Sequence, residues 1–351
     1  MRVLGIESSC DETAAAIVED GRRVLADKVA SQIPVHARYG GVVPELASRN
    51  HIIEILPIIQ ACLDEAQMTL DQIDGIGVAA GPGLVGSLLV GVEVAKALAY
   101  SINKPLVGVN HIEGHLMAPL LDYDGPEGIS GTPQFPFVGL VVSGGHTHLY
   151  RVDGVGQYSV LGATRDDAAG EAFDKVAKML GLPYPGGVYI DRAAKEGRKD
   201  AIRFPRALPQ KTNFDFSFSG VKTSVLTHLK KLERPPEPHE QHFADICASF
   251  QEAVVEVLVN KTFRAARDQR VKDVVISGGV SANSRLRQRA LQVATSNNIN
   301  VHIPPLHLCT DNATMIAALA HHYLPPASPE NAFTNFQLNA SSRQAFGKIT
   351  G

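Results

Sequence analysis

VLGIESSCDETAAAIVE (3–19) is the stretch on which the fold turns: an apolar run, a polar turn at 8–13, and a second apolar run. Short runs rich in Val, Ile and Ala, bounded by small polar residues, read as strands. The same order returns in FVGLVVSGGHTHLYRV (137–152), where the turn is Ser-Gly-Gly-His-Thr-His. Outward from these two openings, strands alternate with helices. Leu46, Ile53, Leu56, Ile59 and Leu63 recur at helical spacing and predict a helix over Pro44–Ala66. A buried strand over Ile73–Ala80, the glycine-rich GPGLVG (81–86), a helix over Ser87–Ile102 and the strand LVGVN (106–110) follow. Further helices are expected at 168–180, 220–232, 242–269, 284–296 and 312–322, with the strand DVVISGGV (273–280) before the fourth of these. Such alternation marks an α/β protein, and two strand–turn–strand openings predict two lobes. The expected boundaries are 1–110 for the first lobe and 111–324 for the second, which would carry the metal and nucleotide site. Residues 325–351 are expected to pack back on the first lobe. The Pro/Gly-rich 125–136 reads as a loop and the polar NAFTNFQLNASSR (331–343) as a loosely held tail.

The chain has 351 residues, with 33 Lys+Arg against 36 Asp+Glu and 44% hydrophobic residues. That composition excludes collagen, coiled coil and disorder. No uninterrupted apolar run reaches the about 18 residues that a membrane helix needs, and the N-terminus enters a strand directly, with no signal-like segment. A cytoplasmic protein with no membrane contact is expected. Cys10, Cys62, Cys247 and Cys309 lie far apart, as reduced thiols do. Charge is uneven: residues 1–110 carry 8 basic and 13 acidic side chains, whereas 192–234 carry 11 basic and 4 acidic. The basic segment is either a solvated face or a phosphate-binding surface.

Three polar turns follow strands: SSCDET (8–13), SGGHTH (143–148) and SGGVSAN (277–283). Glycines in such a turn let backbone N–H groups converge on one anion, so three of them fit a nucleotide held in a cleft between lobes. Asp11 and Glu12 in the first would lie near its phosphates. No P-loop or dinucleotide fingerprint occurs. In NHIEGHLMA (110–118), His111 and His115 are four apart, on one face of a helix and close enough to share an ion. A zincin would place Glu directly after the first His; Glu113 comes one residue later, which disfavours a metalloprotease. Asp311 in CTDNA (309–313) is either a third ligand or a plain carboxylate at a helix start. Ser143 beside His146 or His148 lacks a nucleophile elbow, and Cys10 reads as a buried small residue.

Long motifs in one order carry a resemblance: MRVLGIESSCDETAAAIV (1–18), GGVVPELASRNH (40–51), AAGPGLVGSLLVG (79–91), VNHIEGH (109–115), VVSGGHTHL (141–149), DDAAGEAFDKVAKMLGLPYPGG (166–187), FSFSGVKT (216–223), ISGGVSANSRLR (276–287) and CTDNATMIA (309–317). Over about residues 2–320 the chain resembles the tRNA N6-adenosine threonylcarbamoyltransferase family (TsaD, formerly Gcp), and His146 after the glycines resembles its bacterial members. The resemblance implies the two-lobed actin/sugar-kinase/Hsp70-like (ASKHA) α/β fold. It implies transfer of threonylcarbamoyl from threonylcarbamoyl-AMP to N6 of adenosine 37, in tRNAs reading codons that begin with A, with release of AMP.

The resemblance also implies roles. His111, His115 and Asp311 would hold one divalent ion, Fe2+ or Zn2+. Val141, Val142, Ser143, Gly144 and Gly145 would line the adenylate phosphate and acyl group, and Asp174, Gly187, Asp191 and Asn283 would hold the nucleoside. Asp11 and Glu12 would orient the attacking amine or a water. Two departures stand out: Val188 where the family often has Pro, and valine where some members place a Tyr ligand before Ser-Gly-Gly. The implied partners are tRNA, a TsaB-like paralogue of the same fold and a small TsaE-like P-loop ATPase. The competing readings are an ATP-dependent small-molecule kinase of the same fold, a metalloprotease, and a non-enzymatic scaffold.

Overall fold

The computed structural model describes residues 1–122, 131–210, 212–325 and 336–343. In chain order the first part forms β1 (Arg2–Glu7), β2 (Glu12–Glu19), β3 (Arg23–Ser31), a single turn α1 (Ile33–His36) and α2 (Pro44–Glu65). It continues through β4 (Gly75–Gly81), α3 (Val85–Ile102), β5 (Leu106–Asn110) and α4 (His111–Met117). Then come β6 (Phe137–Val142), β7 (Thr147–Gly154), β8 (Gln157–Ala163), α5 (Ala169–Met179), α6 (Gly186–Ala194) and α7 (Ser219–Lys230). The remainder is α8 (Gln241–Asp268), β9 (Asp273–Ser277), α9 (Ser284–Asn297), β10 (Asn300–His302), the short α10 (Leu306–Cys309) and α11 (Ala313–Tyr323).

Two compact units result, Met1–Glu127 with Thr310–Gly351, and Gly128–Cys309. Each holds a five-stranded mixed sheet, in order β3-β2-β1-β4-β5 and β8-β7-β6-β9-β10. The order is the same in both, three antiparallel strands followed by two parallel ones. The repeated opening in the sequence is therefore a repeated topology. Parallel neighbours need a crossover, and α2 and α3 supply it in the first unit.

Side chains alternate across a strand, so β1 sends Leu4 and Ile6 to one face and Gly5 to the other. Leu4 and Ile6 join a core with Ile55, Ile59 and Leu63 of α2 and Val92 and Ala95 of α3. On the opposite face α11 packs against β1, β2 and β4. It comes very close because Gly5 and its neighbour Gly77 have no side chain. A Cβ at Gly5 would sit 2.4 Å from the Ala313 carbonyl oxygen, and one at Gly77 would sit 2.2 Å from Ala320 Cβ. The second unit is built on a larger core, with Phe173, Phe204, Phe216, Phe218, Phe243, Phe250 and Phe263 buried around the long α8.

The unit boundaries differ from the expected 1–110 and 111–324. α4 follows β5 without a break and packs on α11, and α11 lies on the first sheet. His111, His115 and Asp311 accordingly belong to the first unit, with Asp11 and Glu12. The tail is also more firmly held than its polarity suggests: Leu338 is buried in the first core and Ser341 N–H donates to the Ala80 carbonyl at 2.8 Å. The rest of the expected packing of 325–351, and most of the 125–136 loop, lie outside the described residues. A second difference concerns α3. Its 18 residues are long and apolar enough to cross a membrane by length and composition, although Ser87, Leu88, Gly91, Val92, Ala95 and Ala99 form a stripe buried on the sheet.

Candidate metal centre and substrate residues

The last residue of β5 starts the next helix. Asn110 Oδ1 accepts from the N–H groups of Ile112 (2.9 Å) and Glu113 (3.1 Å), so α4 begins at His111. One turn later comes His115, and the two rings meet edge to face with centroids 4.8 Å apart. Asp311 arrives from the other end of the chain, just before α11, whose N-cap Asn312 accepts from Met315 N–H at 3.1 Å. Asp311 Oδ1 lies 3.2 Å from His115 Nε2 and 3.5 Å from His111 Nε2. The Tyr323 hydroxyl donates to Glu113, tying α4 to α11. Among the described residues, these three are the one group of His, Cys, Asp and Glu whose ligand atoms converge, all within 4.8 Å of one another.

The donor set suits a divalent ion. Two imidazole nitrogens and one carboxylate oxygen match zinc or ferrous iron and leave further positions open. Both rings are buried, yet their surroundings differ. His111 Nδ1 lies 2.9 Å from Glu7 Oε2, whereas His115 Nδ1 is buried with no hydrogen-bond partner among the described residues. Burial opposes a charge on His111, but the Glu7 and Asp311 carboxylates overcome it and lift the group to about 9. For His115 burial wins and lowers the value. The two carboxylates thus favour a proton on His111, in competition with an ion.

The SSCDET turn is bracketed by α2. His51, buried, lies 3.0 Å from the Cys10 carbonyl through Nε2 and 2.7 Å from Thr13 Oγ1 through Nδ1. Burial lowers its value, so the ring is neutral and can donate at one nitrogen and accept at the other. Gln32 N–H donates to the Asp11 carbonyl at 2.9 Å, and the Ser31 hydroxyl to Glu12 at 3.1 Å. Burial, then the charges of Asp11 and Asp311, push the Glu12 carboxyl well above the ordinary carboxylate range. Asp11, Glu12 and Asp311 thus share one electrostatic site. Burial and the same carboxylates raise Cys10 as well, which makes it a poor thiolate.

The remaining predicted residues lie in the second unit. Val141 and Val142 are buried at the end of β6, and Ser143 N–H donates to the His146 carbonyl at 2.8 Å, closing a tight turn with Gly144 and Gly145 exposed at its tip. The N-terminus of α5 abuts this turn: Gly170 N–H donates to Ser143 O at 3.1 Å, and a Cβ at Gly170 would lie 2.6 Å from that oxygen. Asp174 accepts from Gly186 N–H at 2.7 Å, beside Gly187. Asp191 accepts from the Ser284 hydroxyl at 2.9 Å, next to Asn283. Asn283 caps α9 through Leu286 N–H (2.9 Å) and donates to Gln251 (2.7 Å), so part of its capacity is structural. Val188 is exposed.

The basic segment is less free than its charge suggests. Arg198 forks onto the buried Asp245, Arg206 pairs with Glu256, and Lys222 with Asp167. Lys195, Lys199 and Arg203 are exposed. Sequence reasoning missed Glu7 and His51. Glu7 had a signal, a carboxylate closing a mostly apolar strand; His51 lies inside α2 among residues of mixed polarity and had none.

The model of the TsaD family, described as tRNA N6-adenosine threonylcarbamoyltransferase, matches residues 23–318. This chain belongs to the TsaD family. The tRNA N6-adenosine threonylcarbamoyltransferase of Anaeromyxobacter dehalogenans (strain 2CP-C) is 57% identical over 324 residues, 92% of this chain and 94% of that one. That of Syntrophus aciditrophicus (strain SB) is 53% identical over 343 residues, 98% and 97%. TsaD proteins are acyltransferase-type enzymes that modify tRNA, and this chain is one of them. Among solved structures, HypF of T. kodakarensis superposes with a TM-score of 0.59 at 14% identity, over 96% of this chain and 49% of HypF. Component A of the Acidaminococcus fermentans (R)-2-hydroxyglutaryl-CoA dehydratase gives 0.52 at 15%, over 92% and 98%. These likenesses show the fold, a two-lobed ASKHA fold, and nothing about substrate.

Proposed function

We propose that this TsaD chain transfers the threonylcarbamoyl group of threonylcarbamoyl-AMP to N6 of adenosine 37, in tRNAs reading codons that begin with A. The observation that carries the metal-dependent form of this reading is the convergence of His111, His115 and Asp311. A divalent ion held there, Fe2+ or Zn2+, would supply Lewis acidity toward the acyl oxygen. In the reaction the N6–carbon bond forms, the carbon–oxygen bond to AMP breaks, and N6 gives up one proton. An exocyclic amine is a weak nucleophile, so positioning carries much of the rate. Asp11 and Glu12 are assigned to that task, with Asp11 accepting from the amine. In the second unit, the backbone N–H groups of the Val141–Gly145 turn are assigned to the phosphate and acyl group, and Asp174, Gly187, Asp191 and Asn283 to the nucleoside.

The reading includes partners, a paralogue of the same fold and a small ATPase, and a cytoplasmic location. For the paralogue, a place to dock is offered by an apolar groove of about 430 Å³ lined by Ile52, Ile55, Leu56, Leu89, Val90, Glu93 and Val94, with Ile52 65% exposed. We assign this face of α2 and α3 to the paralogue.

The test is reconstitution with these partners, threonylcarbamoyl-AMP and unmodified tRNA, followed by nucleoside mass spectrometry. Threonylcarbamoyladenosine from the wild type and none from His111→Ala/His115→Ala is the expected result. Equal product from both would remove the histidines from the mechanism.

A further inference from the structure

We infer that Glu7 is the positioning residue of the metal centre: it fixes the ring of His111 in the tautomer whose Nε2 lone pair faces the ion. The inference rests on the metal reading above and goes beyond it, because Glu7 is not one of the three converging ligands. Glu7 closes β1 and is fully buried. Each of its carboxylate oxygens has one task. Oε1 accepts from Ser9 N–H at 2.5 Å, and Oε2 lies 2.9 Å from His111 Nδ1. The Ser9 hydroxyl oxygen is 3.2 Å from the same nitrogen.

A carboxylate at hydrogen-bond distance requires a proton on Nδ1, since a bare nitrogen there would set lone pair against lone pair. A neutral ring with its proton on Nδ1 has none on Nε2, and Nε2 is the atom directed at Asp311. Glutamate is specifically suited because it presents two acceptors to two N–H groups. Glutamine has the same shape but one acceptor and one donor. If its oxygen takes Ser9 N–H, its NH2 faces Nδ1 and selects the opposite tautomer, with a hydrogen on Nε2. If its oxygen takes Nδ1–H, its NH2 collides with Ser9 N–H. Either orientation spoils one of the two contacts. Among the described residues His115 has no such fixture at Nδ1.

The experiment compares the wild type, Glu7→Gln and His111→Ala, each stripped of metal and titrated with Zn2+ against a chromogenic chelator. Unfolding of the metal-free proteins is followed in parallel. Glu7→Gln should bind Zn2+ about 10–100-fold more weakly, with Glu7→Asp, which keeps two acceptors, falling between it and the wild type. Wild-type affinity in a folded Glu7→Gln would overturn the assignment. Should Glu7→Gln fail to fold, the long-range 15N–1H spectrum of Zn2+-loaded wild type decides. A proton on Nδ1 of His111 supports the inference, and a proton on Nε2 defeats it. If the wild type binds Zn2+ no better than His111→Ala, the metal reading itself falls and takes this one with it, a result distinct from tight binding by both the wild type and Glu7→Gln.

Discussion

Glu12 occupies an unusual place for a carboxyl group, half-buried beside Asp11 and Asp311 with its own value raised. The sign of the consequence follows from linkage. Folding favours the protonated form, so the stability this group contributes is complete below its unfolded value of about 4.3 and is lost as pH rises through the higher folded value. In the metal-free protein, the advantage of Glu12→Gln over the wild type in urea unfolding should therefore grow by at least about 1 kcal/mol between pH 5 and 8. A constant difference across that range would refute the shared electrostatic site. At this scale legibility was partial. The four-residue spacing of His111 and His115 is visible because a helix turns every 3.6 residues. That Asp311 joins them depends on α11 lying against α4, a contact about 200 residues distant in sequence that no local pattern encodes. Glu7 showed as a carboxylate at the end of a buried strand, but its pairing with His111, 104 residues on, was not local information.

Helices and strands were legible nearly to their ends. The helices at 44–65, 241–268 and 284–297 match their expected spans within two residues, because apolar periodicity and caps such as Asn283 are local signals. α6 (Gly186–Ala194) was missed, since it opens on Pro-Gly-Gly and shows only about two turns of pattern. The contact between α11 and the first sheet gives a test at the same scale. Gly5→Ala would drive a methyl group into the backbone of α11, where nothing flexible can yield. It should destabilise the protein by about 1–3 kcal/mol, measured by urea unfolding. Gly220→Ala near the start of α7, with open space around its Cβ position, should be neutral or slightly stabilising. Equal effects at the two sites would mean that the α11 contact does not constrain β1.

For the whole molecule, charge is the quantity that matters to a tRNA-modifying enzyme. The net charge is −3, so favourable contact with a polyanion requires local concentration of the basic side chains. Within 192–234 the basic side chains are not equally available. Arg198 neutralises the buried Asp245, whose value it pulls down, and reversing it would unsettle the fold before any RNA is involved. Lys195, Lys199 and Arg203 are the appropriate set. Replacing all three by Glu should weaken tRNA binding and lower the slope of log affinity against log salt by about 1 per lost phosphate contact. An unchanged slope would return this surface to the status of a solvated face. The existence of two lobes was legible from the repeated strand–turn–strand opening. Their boundary was not, because the first unit is interrupted by the second and resumes only at Thr310.

That interruption has a consequence for how the protein is made. Strands β1 to β5 leave the ribosome early, but the face carrying Gly5 and Gly77 stays uncovered until α11 has been synthesised. Some 190 residues separate the end of α4 from Ala313, and elongation at about 5–20 residues per second spaces them by roughly 10–40 s. The second unit is continuous and has all its residues once Cys309 is made, whereas the first still lacks α11. A chain that ends at Cys309 should accordingly shield the second sheet from protease while leaving the first open to it, and it should carry the HIEGH helix without the Asp311 that completes its site.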